Sequence, residues 1–231
     1  MRGLFITGTD TGVGKTHMAT LIVATLRAQG VRVGAYKPIV TGSESGGQGR
    51  IWSDLERLSE ALGGQFPRER ICPQCFDAPV APPVAARMEG KIVDSELLRS
   101  GLDWWRERVD FVVVEGVGGL LSPVTDSEFV ADLAVSFGLP LVIVARAALG
   151  TINHTLLTLE AARSRKLAIA GIVLNQPETI GEDLSVESNP DELQKRCAAP
   201  ILAVLPHATM PGLLQHSGRS TIDWMTLSQS R

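Results

Sequence analysis

Short apolar runs alternate with amphipathic stretches along most of this chain. Runs with the length and composition of buried strands cover residues 4–6, 31–36, 111–114, 141–144, 169–174 and 201–205. Helical spacing of apolar side chains predicts helices over about 15–29, from near Ser53, over about 95–108, and around Ile152, Leu156 and Leu159. Strands that alternate with helices predict an α/β fold in which a mostly parallel central sheet is flanked by helices on both faces.

Two kinds of segment depart from this alternation. Residues 63–92 are rich in Pro and only weakly periodic, so we expect an excursion that packs on the domain. Residues 176–192 and the tail after Pro206 are polar and are expected to be the most mobile parts. A chain of 231 residues can bury a full core, and we expect one domain over residues 1–231.

Composition limits the possible binding partners and the cellular location of the protein. A net charge of −3 gives no electrostatic reason to expect nucleic acid or an anionic membrane as a partner. No apolar run approaches the ~20 residues that cross a bilayer, and the first residues lack the apolar stretch of a secretory signal. Three cysteines do not make a disulfide framework in a chain of this length. We therefore expect a cytoplasmic protein.

The strongest chemical signal is the glycine-rich loop GTDTGVGKT at residues 8–16, between a predicted strand and a predicted helix. Such a loop turns its backbone N–H groups inward, and the helix N-terminus adds positive potential. Lys15 can reach the β- and γ-phosphates of a nucleotide, and the Thr16 hydroxyl can bind Mg²⁺. The match to the phosphate-loop pattern is imperfect, because Thr9 occupies the first glycine position and Gly8 comes one residue early. The alternative is a chance glycine-rich turn.

Two acidic residues are candidates for holding Mg²⁺ on that nucleotide. Glu115 ends the apolar run FVVVE and is followed by Gly116, Gly118 and Gly119, which places it where open α/β sheets bind ligands. An acid there can bind the metal directly or through water, and the alternative is a solvated Glu at a strand end. Asp54, taken alone, is expected to cap the helix that begins near Ser53.

A second lysine is expected at the same edge of the sheet. Lys37 closes the predicted strand before Pro38, which cannot continue a paired central strand. Two lysines and a metal facing one space would offset the charge of a transferring phosphoryl group. Without further information, an ordinary surface lysine is an equally good interpretation.

Taken together, the motifs are specific. The segments TDTGVGKT, YKPIVTGSE, SD at 53–54, VEGVGG, LGTINH and a strand ending in Asn175 resemble the dethiobiotin synthetases, in order and spacing, over most of the chain. The resemblance implies a three-layer P-loop NTPase-like fold. It also implies an enzyme that closes a ureido ring on 7,8-diaminononanoate with CO₂ and ATP in biotin synthesis.

The resemblance also implies a role for individual residues. It makes Lys37 and Lys15 catalytic, makes Thr16, Asp54 and Glu115 Mg²⁺ ligands, and assigns Thr41 to the substrate. Nucleotide contacts are implied for Gly12, Val13, Gly14, Lys15, Thr16, His17, Asp54, Glu115, Gly116, Val117, Gly118, Asn175, Gln176, Val204, Leu205 and Pro206. The helix start formed by Gly150, Thr151, Ile152 and Asn153 has free N–H groups that suit the substrate carboxylate. In the family this helix start belongs to the neighbouring subunit, so a homodimer with its active site at the subunit interface is implied.

Two departures and two alternatives qualify the resemblance. Position 12 is Gly where some relatives carry an acid, and residues 79–85 match the family's Pro-containing loop only loosely.

Cobyrinic acid diamide synthases share a similar phosphate loop, but they usually add a glutamine-hydrolysing domain for which this chain has no room. Partitioning ATPases that switch with nucleotide carry an extra lysine where this chain has Asp10, and they lack the YKP segment.

The pair Cys72 and Cys75 forms a CxxC motif that the resemblance does not use. A zinc site would need two further ligands, and only Cys197 and scattered histidines remain. A redox motif would be expected in a thioredoxin-like context, which the sequence lacks. Simple burial is therefore the expected role of both cysteines.

Overall fold

The computed structural model describes residues 1–47, 49–178, 183–209 and 222–230. Its strands are β1 (Arg2–Gly8), β2 (Val33–Tyr36), β3 (Ile39–Thr41), β4 (Glu44–Gly46), β5 (Gly49–Ile51), β6 (Gln74–Phe76), β7 (Phe111–Gly119), β8 (Leu141–Arg146), β9 (Ile169–Asn175) and β10 (Ile201–Leu205). Its helices are α1 (Lys15–Ala28), α2 (Ser53–Ala61), α3 (Arg68–Ile71), α4 (Pro82–Met88), α5 (Ser95–Arg106), α6 (Val130–Phe137), α7 (Thr151–Ser164), α8 (Ser185–Gln194) and α9 (Trp224–Leu227).

Six strands form the central sheet in the order β10-β9-β8-β1-β7-β2, and every neighbouring pair is parallel. Helices cover both faces, which confirms the predicted three-layer α/β fold. Strands β1, β7 and β8 are buried on both faces, as their continuous apolar runs predict. This burial fixes the positions of the strand ends, where polar side chains converge. Within the described part of the chain, no helix is both long and apolar enough to cross a bilayer.

The chain leaves the central sheet after β2, where Lys37 and Pro38 follow Tyr36. Strand β3 then pairs in parallel with β6 in a separate small sheet, and β4 and β5 form an antiparallel hairpin. The excursion predicted over residues 63–92 contains α3, β6 and α4, which the weak periodicity did not reveal. It packs on the domain as expected, with Ile71, Ala85 and Ala86 fully buried.

Two stretches differ from the sequence expectations. The sequence pattern predicts no element over residues 120–138, but helix α6 forms there. At the start of α6 the Asp132 carboxylate accepts the Phe129 N–H at 2.7 Å, and Gly138 ends the helix. Residues 185–192, within the polar stretch expected to be mobile, form most of α8, where the Asn189 amide donates to the Ala148 carbonyl. Residues 179–182, and residues 210–221 of the polar tail, lie outside the described residues.

Candidate functional site

The glycine-rich loop connects β1 to α1 at the carboxyl edge of the sheet. The first hydrogen bond within the helix runs from the Met18 N–H to the Gly14 carbonyl at 3.0 Å, so the preceding N–H groups of the helix start are not part of the helical ladder. The Lys15 ammonium donates to the Asp10 carbonyl at 3.0 Å and closes the loop on itself. These N–H groups and the ammonium together form a site for an anion.

The structure explains the displaced first glycine of the loop. A Cβ on Gly8 would lie 2.8 Å from the Asp10 carbonyl oxygen and 2.8 Å from a methyl carbon of Val13. Gly8 therefore meets the steric demand of the tight turn one residue before the usual position. Gly14 has φ of 99°, and a Cβ there would lie 2.1 Å from the Asn175 side-chain nitrogen. Asn175 donates from that nitrogen to the Val13 carbonyl at 2.9 Å and so braces the loop.

Lys37 comes beside Glu115 because of strand register. Strands β2 and β7 are neighbours, with Tyr36 opposite Val114, so Lys37, which follows the end of β2, comes beside Glu115 of β7. The Lys37 ammonium is 2.6 Å from Glu115 Oε1 and 2.7 Å from Asp54 Oδ2. Lys37 is 2% exposed, so it is not the surface lysine that was the alternative interpretation.

The two acidic residues also differ from their simplest interpretations. Strand β7 continues to Gly119 after a register shift opposite β1, so Glu115 lies inside the strand and is 1% exposed rather than solvated at its end. Asp54 does not cap α2, because Trp52 occupies that position and Asp54 lies in the first turn. Both carboxylates lie 2.7 Å from Thr16 Oγ1, whose single hydrogen can be donated to only one of them at a time.

The charges of the site are strongly coupled. Burial lowers the pKa of Lys37, but the facing Glu115 and Asp54 carboxylates outweigh burial and raise that pKa above its usual value. Burial would raise the pKa of Asp54, but Lys37 and Thr16 hold it below its usual value. Burial and the Lys37 charge lower the pKa of Lys15 to about 8, despite the attraction of Glu115. An anion beside Lys15 would offset the cost of burying that ammonium.

The donor set of Thr16, Asp54 and Glu115 fits a hard divalent cation. The oxygens of all three converge within hydrogen-bonding distance, and Mg²⁺ is bound in proteins by one or two carboxylates with further oxygen ligands. Glu115 Oε2 is buried without a hydrogen-bond partner among the described residues. A buried carboxylate oxygen left unpaired is destabilising, and a cation ligand would satisfy it.

These groups line one cleft of about 730 Å³, a volume in the range of cofactor and substrate sites. The residues implied for the site that line it are Gly12, Gly14, Lys15, Thr16, His17, Lys37, Thr41, Asp54, Glu115, Val117, Gly118, Asn175 and Gln176. The structure therefore brings most of the implied nucleotide contacts together with both lysines.

Other implied residues do not line this cleft. Val13 is 1% exposed, and its carbonyl accepts the Asn175 amide. Gly116 is buried, with Val130 and Phe5 nearest to where its Cβ would lie. The cleft wall next to β10 is formed by His207 and Ala208 rather than by Val204, Leu205 and Pro206. Gly150, Thr151, Ile152 and Asn153, at the start of α7, also lie outside the cleft of their own chain.

Thr11 of the phosphate loop and Pro79, Val80, Ala81 and Pro82 of the loosely matching segment also line the cleft. Sequence reasoning missed several further cleft residues: Val40, Arg57, Ser122, Pro123, Pro177, His207 and Ala208. Arg57 lies three residues after Asp54 on α2, a spacing that shares a helix face and could have identified it. Burial lowers the pKa of His17, and the charges of Arg57 and His207 lower it further, which places both near His17.

The space above Gly12 contains a charged side chain. Arg146, at the end of β8, has a guanidinium nitrogen 3.9 Å from where a Gly12 Cβ would lie. Arg146 forms an ion pair with Glu178. Position 12 therefore faces an arginine whose partner acid comes from another segment.

Comparison with known proteins finds one family model and several similar proteins that share one name. A family model described as an AAA domain matches residues 2–210. The ATP-dependent dethiobiotin synthetase BioD of Anaeromyxobacter dehalogenans (strain 2CP-C) is 50% identical over 208 residues, which cover 89% of this chain and 90% of the relative. The enzyme of the same name from Bacillus subtilis (strain 168) is 39% identical over 206 residues, covering 89% and 87%.

Solved structures show the same architecture at low identity. A ParA family ATPase from Chlorobium tepidum TLS matches with a TM-score of 0.54 and 15% identity, covering 89% of this chain and 85% of that chain. The MinC:MinD cell division protein complex of Aquifex aeolicus matches with a TM-score of 0.53 and 18% identity, covering 90% and 82%. Identities this low indicate a shared fold and carry no information on function.

Proposed function

Because this chain has the AAA-domain fold and belongs to the family of the ATP-dependent dethiobiotin synthetases, we propose that its cleft closes the ureido ring of dethiobiotin. The protein is an ATP-dependent cyclo-ligase that uses 7,8-diaminononanoate and CO₂, in the penultimate step of biotin synthesis. The observation that carries this proposal is the buried position of Lys37 between Asp54 and Glu115, in the same cleft as Lys15 of the phosphate loop. We assign the activity to a single domain over residues 1–231.

The chemistry divides into two bond-forming steps. One amine of the substrate takes up CO₂ as a carbamate, whose oxygen attacks the γ-phosphorus of ATP and releases ADP. The second amine attacks the carbonyl carbon of the resulting carbamic–phosphoric anhydride, expels phosphate and closes the ring. Lys37 contacts the carbamate and the transferring phosphoryl group, and Lys15 contacts the β- and γ-phosphates. The two ammonium groups stabilise the negative charge that develops on the transferring phosphoryl group.

In this proposal Mg²⁺ would be bound by Thr16, Asp54 and Glu115. Bound there, it would neutralise charge on the nucleotide phosphates. Thr16 is fixed by the start of α1 and Asp54 by the first turn of α2, so two helices hold the ligand oxygens in place. The unpartnered Glu115 Oε2 supports this assignment.

The remaining contacts follow the layout of the cleft. Residues 12–17 hold the phosphates, and residues 115–118 lie beside them. Asn175 and Gln176 lie at the base side, with Val204, Leu205 and Pro206 on the adjoining strand end. Thr41, on β3, lines the cleft and is assigned to the diamino acid.

We further propose a homodimer in which α7 of one protomer completes the cleft of its partner. Gly150 to Asn153 lie outside the cleft of their own chain, and an anion-binding helix start is useful only where a carboxylate can reach it. Leu149 is 85% exposed and Leu157 is 61% exposed on the same helix region, which leaves apolar surface for a second copy to cover.

Mixing two inactive variants tests the shared site. Lys37→Gln removes the catalytic lysine, and Asn153→Asp places a negative charge where the substrate carboxylate would bind. If the helix start comes from the partner, a mixed dimer of these variants contains one cleft with no substitution, and activity returns on mixing. If both groups act within one chain, every cleft keeps a defect and mixing restores nothing.

The activity itself is tested by product detection. The enzyme is incubated with ATP, Mg²⁺, bicarbonate and 7,8-diaminononanoate, and dethiobiotin is sought by mass spectrometry. Phosphate release should depend on both the diamine and bicarbonate. Equal ATP hydrolysis without the diamine, or hydrolysis stimulated only by a protein or DNA, would instead support the nucleotide-switch ATPase alternative.

A further inference from the structure

Cys72 and Cys75 lie close enough in space to react with each other. Their sulfur atoms are 3.7 Å apart, joined by a weak S–H hydrogen bond. Cys72 is buried at the end of α3, and Cys75 is half-buried on β6. The ring-closing chemistry uses neither thiol, and the sequence alone did not show that the two side chains point toward each other.

The segment that carries these cysteines is bonded directly to the catalytic strand end. The carbonyl of Ile71, which precedes Cys72, accepts the backbone N–H of Lys37 at 2.7 Å. Cys75 lies opposite Val40 in the β3–β6 pair, and Val40 lines the cleft. A displacement of residues 71–75 would therefore reach Lys37 through one hydrogen bond, and it would reach Val40 of the cleft wall through the β3–β6 pairing.

A metal site does not explain the pair. Tetrahedral zinc needs four ligands, and the described residues contain no group of three or more His, Cys, Asp or Glu side chains placed to hold an ion. Cys197 is engaged elsewhere, with its thiol donating to the Ala199 carbonyl. The two thiols are therefore left with each other as reaction partners.

We propose that Cys72 and Cys75 form a reversible disulfide that slows ring closure. The Cys75 thiolate attacks a small-molecule disulfide such as oxidised glutathione, forms a mixed disulfide and releases one thiol. Cys72 then attacks the Cys75 sulfur, expels the second thiol and passes its proton to that leaving group. Two protein thiols are oxidised and one small-molecule disulfide is reduced to two thiols, so electrons and protons balance.

The environments of the two sulfurs suit this order of attack. The hydrogen bond shared with Cys72 lowers the pKa of Cys75, and Arg68 lowers it further, against the opposing effect of burial. Burial raises the pKa of Cys72 well above its usual value. The half-buried Cys75 can meet an oxidant and carries the more available thiolate, so it attacks first. Cys72 stays protonated until the second step, which its position 3.7 Å from the Cys75 sulfur makes intramolecular.

Closing the bridge is expected to strain the segment that carries the two cysteines. The sulfurs must approach from 3.7 Å to about 2.05 Å, the length of a disulfide bond. In this proposal that approach draws residues 72 and 75 together and shifts the Ile71 carbonyl, which accepts the Lys37 N–H. Since small misplacements of catalytic groups cost large factors in rate, we expect oxidation to lower kcat by about tenfold.

The bridge is tested first without any activity measurement. The full-length enzyme is treated with oxidised glutathione, and intact mass, free-thiol count and peptide mapping are compared before and after dithiothreitol. We expect the loss of two thiols without added glutathione mass, a 72–75 linked peptide and full reversal. A stable glutathione adduct, a link to Cys197, or three thiols still free after treatment would overturn the proposal.

The effect on turnover is then measured on the same samples, and this readout rests on the proposed function. Oxidised wild-type enzyme should lose about tenfold in kcat and recover with reductant. Cys75→Ser should keep its activity under oxidant, and the matched control Cys197→Ser should still lose it. A complete 72–75 bridge with unchanged kcat would refute the coupling. A reduced enzyme that makes no dethiobiotin would contradict the proposed function and leave the mass result on the bridge intact.

Discussion

Replacing Lys37 by Gln is the most informative single change, because it separates the charge of this side chain from its size. In the wild type, one buried ammonium faces two carboxylates at 2.6 and 2.7 Å. The variant leaves Glu115, 1% exposed, and Asp54 without that counter-charge. We expect a less stable fold and a loss of ring closure, with nucleotide binding at the phosphate loop retained.

The size of the stability loss follows from burial. Removing one partner of a buried ion pair costs about 3–5 kcal/mol. The lower end applies here, since the Asp54 side chain is 34% exposed and water can screen it. About 3 kcal/mol in a chain of this length lowers the melting temperature by roughly 6–12 °C. Loss of one charge-stabilising donor is expected to lower kcat by about 10²–10³-fold.

Thermal unfolding with and without Mg²⁺ measures the loss of stability and tests whether the unpaired carboxylates cause it. The two unpaired carboxylates of the variant should attract the cation, so millimolar Mg²⁺ should raise the melting temperature of Lys37→Gln more than that of the wild type. The matched control is Lys91→Gln, whose ammonium pairs with Glu89 at the surface and should leave the melting temperature nearly unchanged. A Lys37→Gln protein with wild-type melting temperature and kcat would refute this account of the site.

Three further variants test separate parts of the molecule. Gly14→Ala should weaken ADP binding about tenfold or more by calorimetry, because φ is 99° and the new methyl would lie 2.1 Å from Asn175. Thr16→Ala should need about tenfold more Mg²⁺ for half-maximal turnover, while Thr16→Ser should behave like the wild type. Gly34→Ala should lower stability by about 2 kcal/mol with kcat unchanged, because its methyl would press on the core ring of Trp105 at 2.3 Å.

Controls for these variants are available within the chain. Gly47 has open space around a Cβ and an ordinary backbone, so Gly47→Ala should not change ADP affinity. Equal ADP binding by Gly14→Ala and Gly47→Ala would contradict the steric account of the loop. A Thr16→Ala enzyme with unchanged Mg²⁺ dependence would remove Thr16 from the metal site. A Gly34→Ala enzyme that loses activity but not stability would show that the core position acts on the cleft.

The sequence by itself determined the fold class and the loop. Apolar runs on both faces of β1, β7 and β8 require a covered parallel sheet, and a strand, glycine-rich turn and helix in that order form a phosphate site. Pro38 placed Lys37 at a strand end, because a residue without an N–H cannot continue a central strand. These conclusions depend only on residues that are close together in the sequence, so the sequence is sufficient to reach them.

Only the tertiary structure decided which distant groups meet. Lys37 and Glu115 are 78 residues apart and become adjacent because β2 and β7 pair in one particular register. The same strand order extends β7 beyond Glu115 and buries it. It also sets the start of α7 outside the cleft of its own chain and brings the Cys72 and Cys75 sulfurs together beside the catalytic strand. Local periodicity carries no information on strand order or register, which follow from packing the whole core.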